Sequence, residues 1–357
     1  MTFVSFLVIY HTPSRFAWSP FRGVGGLNRK EFCYMKIYRF YLIRGFLIEN
    51  FCYFWEIFNN MSEKRKAWHW LALAILSLIW GTSYILMKKG LESFSPIQVG
   101  ALRIVITFIC LLPLALKHFK HLDRTNILSI IIIGLFGSVI PAFLFPLAET
   151  KISSSLAGML NSLSPVFTLL FGISIYNRKL IKTQVAGVFL GLVGATGLLY
   201  NGSFTFNLFG LFVVLATVLS GISSNEVSRV KGLNGIRITA LSFFVTSPVA
   251  IIYLLFSDFS VPMHTENWVR NLCFIGILAA LGSATALLIY YLLIRDSSPI
   301  FASSVTYFIP IVATLWGLAD NEHFSSSMLI SIIFIFAGVF IINKPDFFRK
   351  KRPVTDE

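Results

Sequence analysis

Ser154, Gly158, Asn161 and Pro165 follow one another at intervals of four, three and four residues, which puts them on one face of a helix. Far along the chain Pro299, Ser303, Thr306 and Pro310 repeat the pattern, Pro310 standing 145 positions after Pro165. Hydroxyls and an amide on such a face exchange hydrogen bonds with a guest, while a proline removes one backbone donor and frees a carbonyl. Tyr307 stands beside Thr306, Trp80, Ser83 and Tyr84 lie within one turn of each other, and Arg103 interrupts the apolar run ALRIVI. As a set these residues hold a small solute. Arg103 answers an anion or works a gate, Trp80 and Tyr84 stack on a planar or apolar face, and the hydroxyls read polar groups. This is recognition rather than covalent chemistry. A plainer reading competes with it: Ser154 and Gly158 let helices pack closely, and Arg103 bonds helix-end carbonyls. The other faces, with Leu156, Leu160, Leu163 and Phe167 in the first segment and Phe301, Val305 and Phe308 in the second, read as lipid-tolerant.

The elements that position these residues are set by composition. Of 357 residues 56% are hydrophobic and 13% charged, against roughly 25% charged in soluble chains. Nearly uncharged windows of bilayer-spanning length fall at about 68–88, 95–116, 126–147, 152–175, 181–200, 207–225, 237–257, 270–294, 298–319 and 325–343. The reading is an all-α integral membrane protein with ten transmembrane helices. Lys and Arg gather in alternate loops. Lys64–Lys66, Lys117, Lys120, Arg124, Arg178, Lys179, Lys182, Arg229, Lys231, Arg237, Arg295 and the tail lie on one side, and only Lys88, Lys89, Lys151 and Arg270 on the other. The positive-inside rule then places both termini in the cytoplasm. Residues 68–201 and 207–343 form two five-span halves, and an odd number of spans turns the second half upside down. The loop after Pro165 reads YNRKLIK and that after Pro310 ADNEHF, basic and then free of Lys and Arg, as inversion requires. Inverted repeats of this kind carry a substrate site at their interface.

Residues 1–60 lie outside this plan. Met61 opens the basic lead-in MSEKRKAWHW, so the first 60 residues read as an N-terminal extension or an upstream mis-start, and 344–357 as a basic cytoplasmic tail.

With these motifs in hand, residues 68–343 resemble the ten-helix EamA-type branch of the drug/metabolite transporter superfamily. The residues that carry the resemblance are Trp80-Gly81-Thr82-Ser83-Tyr84 in the first span, Arg103 in the second, and the Ser153–Ser155 with Pro165 and Ser303-Ser304 with Pro310 pairs in the fourth and ninth. The family's glutamate after the proline helix is kept as Glu322 but replaced by Asn177 in the first half. The resemblance implies a cavity between the halves lined by helices 1–4 and 6–9, peripheral helices 5 and 10, and alternating access to small organic solutes. The expected activity is secondary transport, with export preferred, of small polar metabolites such as amino acids across a bacterial cytoplasmic (inner) membrane. Efflux of lipophilic cations and a non-transporting scaffold stand as alternatives.

Several classes are disfavoured. The net charge of +14 follows from loop placement and calls for no nucleic acid; the four cysteines form no paired motif. No P-loop, metal cluster or mid-membrane catalytic group is present, so neither cofactor nor enzyme activity is expected. The first span lacks Asp and Glu, and Glu226 is the preferred proton-coupling carboxylate. A small-molecule substrate and the bilayer are the expected partners, with homodimerisation left open.

Overall fold

The computed structural model describes residues 63–177, 182–200, 207–322 and 325–343. The N-terminal extension, Arg178, Lys179 and the basic tail lie outside the described residues. The chain divides into Met1–Lys66 and Ala67–Glu357, and everything below concerns the second unit.

Every regular element among the described residues is helical. Eight helices are long and apolar enough to cross a membrane: α1 (Ala67–Leu91), α2 (Pro96–His121), α3 (Ile127–Glu149), α4 (Ser154–Ser174), α6 (Gly210–Arg229), α7 (Gly235–Leu255), α8 (Trp268–Asp296) and α9 (Pro299–Ala319). Two shorter apolar helices, α5 (Lys182–Tyr200) and α10 (Ser326–Asn343), fall on the remaining expected spans. Helices are forced here because hydrocarbon offers backbone amides no partner. Their starts are written in the sequence. Ser95 and Gln98 close a capping box with Pro96 at the first position of α2, Ser153 caps α4, and Ser298 with Pro299 opens α9.

The serpentine course shows in contacts at the two ends. At one end Lys88 meets Glu322 and Gln98 donates to the Asp258 carbonyl; at the other, Ser129 and Tyr176 donate to Glu226. Lipid-facing Leu71, Ile109, Phe189, Leu315 and Ile333 are exposed, while many serines and threonines are buried in the interior among the apolar core. α5 and α10 pack chiefly on each other. Their backbones close where Gly187 faces the Gly338 carbonyl, leaving no room for a Cβ at either glycine.

Among the irregular long helices, four fall in matching pairs. α3 and α8 each contain a widened π-turn, Leu135–Val139 and Leu278–Thr285. α4 and α9 each tighten into a 3-10 turn, Asn161–Leu163 and Ser304–Tyr307, just before Pro165 and Pro310. Proline cannot donate to the carbonyl four residues back; at Pro165 that carbonyl belongs to Asn161 and accepts instead from the Ser164 hydroxyl at 2.8 Å. The prolines therefore open the second half of each broken helix.

One expectation is overturned. Leu156, Leu160 and Leu163 of α4 and Val305 of α9 are fully buried rather than lipid-facing, and only Phe308 on that side is strongly exposed. α4 is enclosed by α6, α9 and α10, so its apolar face meets protein.

Candidate functional site

The π-turn of α8 is where the site is assembled. Widening a helix by one residue per turn leaves carbonyls without their usual donors, and side chains from α1 and α2 take them. Trp80 Nε1 donates to the Gly282 carbonyl at 2.9 Å and Thr107 to the Ala279 carbonyl at 3.1 Å. Arg103 Nε donates to the Ser283 hydroxyl at 2.6 Å. Gly282 permits this approach, since a Cβ there would meet Ser83 Oγ at 2.6 Å.

These contacts border a cavity that offers about 120 Å³ to the centres of water molecules, room for several waters or a small organic solute. Its walls come from residues on both sides of position 200. From the first side come Trp80, Ser83, Tyr84, Arg103, Ser138 and Asn161; from the second, Ser223, Ser224, Ser283, Tyr290, Tyr291 and Thr306. Trp80 meets Tyr290 edge-on at 5.0 Å and Tyr84 meets Phe145 at 5.8 Å, an aromatic lining with hydroxyls between. Tyr290 and Ser224 share a hydrogen bond of 3.1 Å. Arg103 is the one charged residue in this lining. Beyond Ser283 its guanidinium has no protein acceptor among the described residues, which leaves it free for a guest.

Six of the expected residues, Trp80, Ser83, Tyr84, Arg103, Asn161 and Thr306, thus share one cavity. Five do not line it. Ser154 belongs to an ionic cluster described below. Ser303 is buried and donates to the Ile300 carbonyl, Tyr307 packs on Phe336 of α10 at 6.1 Å, and Pro165 and Pro310 are buried in helix starts. Gly158 is a packing residue, pressed on Ala313 of α9. Sequence reading missed Tyr290, Tyr291, the α6 serines and Ser283. A signal existed: Gly137-Ser138 and Gly282-Ser283 recur at the same 145-residue offset as the two prolines.

Each end of the bundle is tied by a carboxylate. At the Lys88 end, Asn321 takes a left-handed conformation (φ 59°) that ends α9 and turns Glu322 back. Glu322 Oε1 accepts from the Ser154 amide (2.9 Å), the Ser154 hydroxyl (2.8 Å) and Lys88 Nζ (2.8 Å). Its Oε2 accepts from the Ser155 amide (3.0 Å) and hydroxyl (2.6 Å). Glu322 thereby caps α4 from a different part of the chain, at the helix's positive pole. Lys88 also pairs with Asp320 at 2.7 Å, and Lys89 with Asp320 at 2.8 Å. Burial alone would raise the Glu322 carboxyl, but Lys88 and the Ser154–Ser155 donors outweigh it and hold the group down to about 2. The two lysines likewise hold Asp320 below its usual range.

At the opposite end Glu226 accepts from the Ser129 hydroxyl (2.5 Å) and the Tyr176 hydroxyl (2.6 Å). Burial and the adjoining Glu226 charge push the Tyr176 phenol up. Glu226 is thus a partnered tie between α6 and the ends of α3 and α4, which weakens it as the coupling carboxylate.

Gly317 makes the Lys88-end cluster compact. A Cβ there would overlap Ser155 Oγ and stand 2.5 Å from Glu322 Oε2. Gly317→Ala is expected to lower stability by about 1–3 kcal/mol, the usual cost of overpacking. It should also loosen this end, read as a lower melting temperature and faster labelling of a cysteine at Asn161. Unchanged melting and labelling would show that the cluster yields without cost.

Comparison with known proteins agrees with this architecture. The EamA-like transporter family model matches residues 67–200 and again 207–344. The chain is 28% identical over 249 residues to the uncharacterized inner membrane transporter YedA of Escherichia coli K12, covering 69% of this chain and 80% of YedA. It is 25% identical over 287 residues to the S-adenosylmethionine/S-adenosylhomocysteine transporter of Chlamydia trachomatis serovar L2, covering 76% of this chain and 88% of that one. A crystal structure 19% identical superposes with a TM-score of 0.56 over 77% of this chain and 96% of its own, which speaks for the fold alone. The family and these relatives are transporters rather than enzymes, and the apolar helices make the protein an integral membrane one. The chain belongs to the EamA-like transporter family, within the drug/metabolite transporter superfamily.

Proposed function

We propose that the protein is a secondary transporter that carries a small polar metabolite bearing an anionic group, such as an amino acid or a related carboxylate, by alternating access. The observation that carries this reading is the cavity between the two family-model matches, in which Arg103 is the charged wall residue among aromatic rings and hydroxyls. An anion accepts two charge-assisted hydrogen bonds from a guanidinium fork, Trp80 and Tyr290 offer apolar faces, and the serines and Asn161 satisfy the remaining polar groups.

The ten helices form two inverted five-helix repeats. The doubled family match and the paired π-turns and 3-10 turns support that assignment, and the alternation of Lys and Arg supports cytoplasmic termini. With that orientation the Lys88–Glu322 cluster is the external seal and the Glu226 cluster faces the cytoplasm. A small polar cavity with a carboxylate cluster tying the bundle at each end is what a carrier with two gates presents. Direction follows the solute and coupling gradients. The cationic-drug alternative is disfavoured because the wall charge is positive.

Counterflow in proteoliposomes with a panel of carboxylate, neutral and cationic metabolites tests the reading. Saturable exchange of a carboxylate solute is expected; exchange confined to cations, or no exchange of any solute, overturns it.

A further inference from the structure

Glu149 ends α3, with four residues between it and the start of α4, and it is treated differently from the other carboxylates of the bundle. It is 7% exposed, and neither of its oxygens has a hydrogen-bond partner among the described residues. The side chains of Glu322 and Glu226, 6% and 5% exposed, are each met by hydrogen-bond donors. The charged and titratable groups within its electrostatic reach are Glu322, Lys88, Arg103 and Tyr84. They come from α1, α2 and the end of α9, and none donates to it. A carboxylate carrying full charge without a donor is among the costliest groups to bury. A residue that repays no structural debt in that position is a place to look for a bound cation.

We propose that Glu149 is a proton-binding site that holds its proton while the Lys88–Glu322 seal is closed and exchanges it with the cleft outside when the seal opens. A proton fits better than a metal ion for two reasons. No group of three or more acidic, His or Cys ligands occurs among the described residues, and Lys88 and Arg103 already supply positive charge nearby. A surface cleft bordered by Lys88, Lys151, Asp320 and Glu322 adjoins the seal. Opening the seal frees Lys88 from Glu322; the Glu149 O–H bond breaks, the proton passes to water in the cleft, and the carboxylate left behind pairs with Lys88.

The consequence for transport rests on the carrier reading above. Ionised Glu149 competes with a bound anion for the field of Arg103, whereas loaded Glu149 leaves that field to the anion. Proton and anion therefore bind together and travel together; the discharge step runs in reverse from a proton-rich exterior, so an inward proton gradient drives uptake, opposite to the export expected from sequence alone.

The proton site is tested without any substrate. Dicyclohexylcarbodiimide adds to protonated carboxyls in apolar settings. In purified protein it should modify Glu149, located by peptide mass, at a rate that falls as pH rises, and the label should vanish in Glu149→Gln. No label on Glu149 from mildly acidic to alkaline pH, or a pH-independent rate, overturns the proposal. Protection by sodium ions at fixed pH overturns it in favour of a metal cation. In proteoliposomes with an inward proton gradient, wild type should concentrate a counterflow-active carboxylate solute, while Glu149→Gln should exchange it without accumulation. Equal accumulation by both overturns the coupling. Should wild type move no solute at all, the carrier reading fails and the carbodiimide result alone decides the proton site.

Discussion

Arg103→Ala is expected to lose ten- to a hundredfold or more in solute affinity while melting no lower than wild type. The two halves of that statement have one cause. A guanidinium held deep in a bilayer costs about 2.5–3.5 kcal/mol on insertion scales, and within the protein Arg103 recovers little, a hydrogen bond from Nε to Ser283 at 2.6 Å. Each hydrogen bond to a charged partner contributes about 1.5–3 kcal/mol, and 1.4 kcal/mol is a factor of ten in affinity. Removing the side chain therefore takes away most of the grip on an anion and little that holds the helices together. Arg103→Lys keeps the charge but not the fork and should fall between. Ser283→Ala, which leaves the guanidinium unsteered, should cost less than Arg103→Ala. Thermal shift with and without the counterflow solute separates the effects. If Arg103→Ala melted far below wild type and still exchanged solute normally, Arg103 would be a structural brace, and the anion site would lie elsewhere.

How far the sequence could be read depends on the range of the interaction. Span-length apolar windows and the caps at Ser95, Ser153 and Ser298 are local, and they locate the eight long helices to within a few residues. The polar residues Arg103, Asn161 and Thr306 stood out because a bilayer interior tolerates few of them. The reading of α4 failed for an equally physical reason. Leucine facing lipid and leucine facing protein have the same hydropathy, so Leu156 and Leu160 could not announce that they are enclosed. Tyr290 and Tyr291 carry no local mark within an apolar span, because the π-turn that re-aims the α8 wall leaves no period to detect. The Glu322–Ser154 tie joins positions 168 apart in sequence, beyond any local pattern, though the αL turn at Asn321 that enables it has a counterpart at Asn177 (φ 52°).

With the proposed orientation, Glu322→Ala is expected to open the external side. The carboxylate gathers the α4 N-terminus, α1 through Lys88, and the end of α9 into one knot, so its loss strands two amides, two hydroxyls and an ammonium together. Removing one partner of a buried ion pair costs about 3–5 kcal/mol. Lys88 is 34% exposed, and solvent screening brings the figure towards the lower end or below it. Even about 2.7 kcal/mol shifts a closed-to-open ratio a hundredfold. Lys88→Ala should do less, because Glu322 keeps its four serine donors. The readout is the reaction of a membrane-impermeant thiol reagent, added outside, with a cysteine at Asn161 in a chain whose Cys33, Cys52, Cys110 and Cys273 have been replaced. Labelling should accelerate more than tenfold in Glu322→Ala and by a smaller factor in Lys88→Ala. Acid should act in the same direction on wild type. Because Glu322 is held at about 2, below its ordinary value of 4.5, its contribution is complete above about 4.5 and is lost only as pH falls through about 2. The seal is therefore insensitive to pH across the physiological range, and any pH dependence of transport there must arise from another group. If Glu322→Ala labelled no faster than wild type, the cluster would be a surface ornament, and the barrier between cavity and exterior would have to be sought in the packing of Tyr84, Gly158 and Ala313 beneath it.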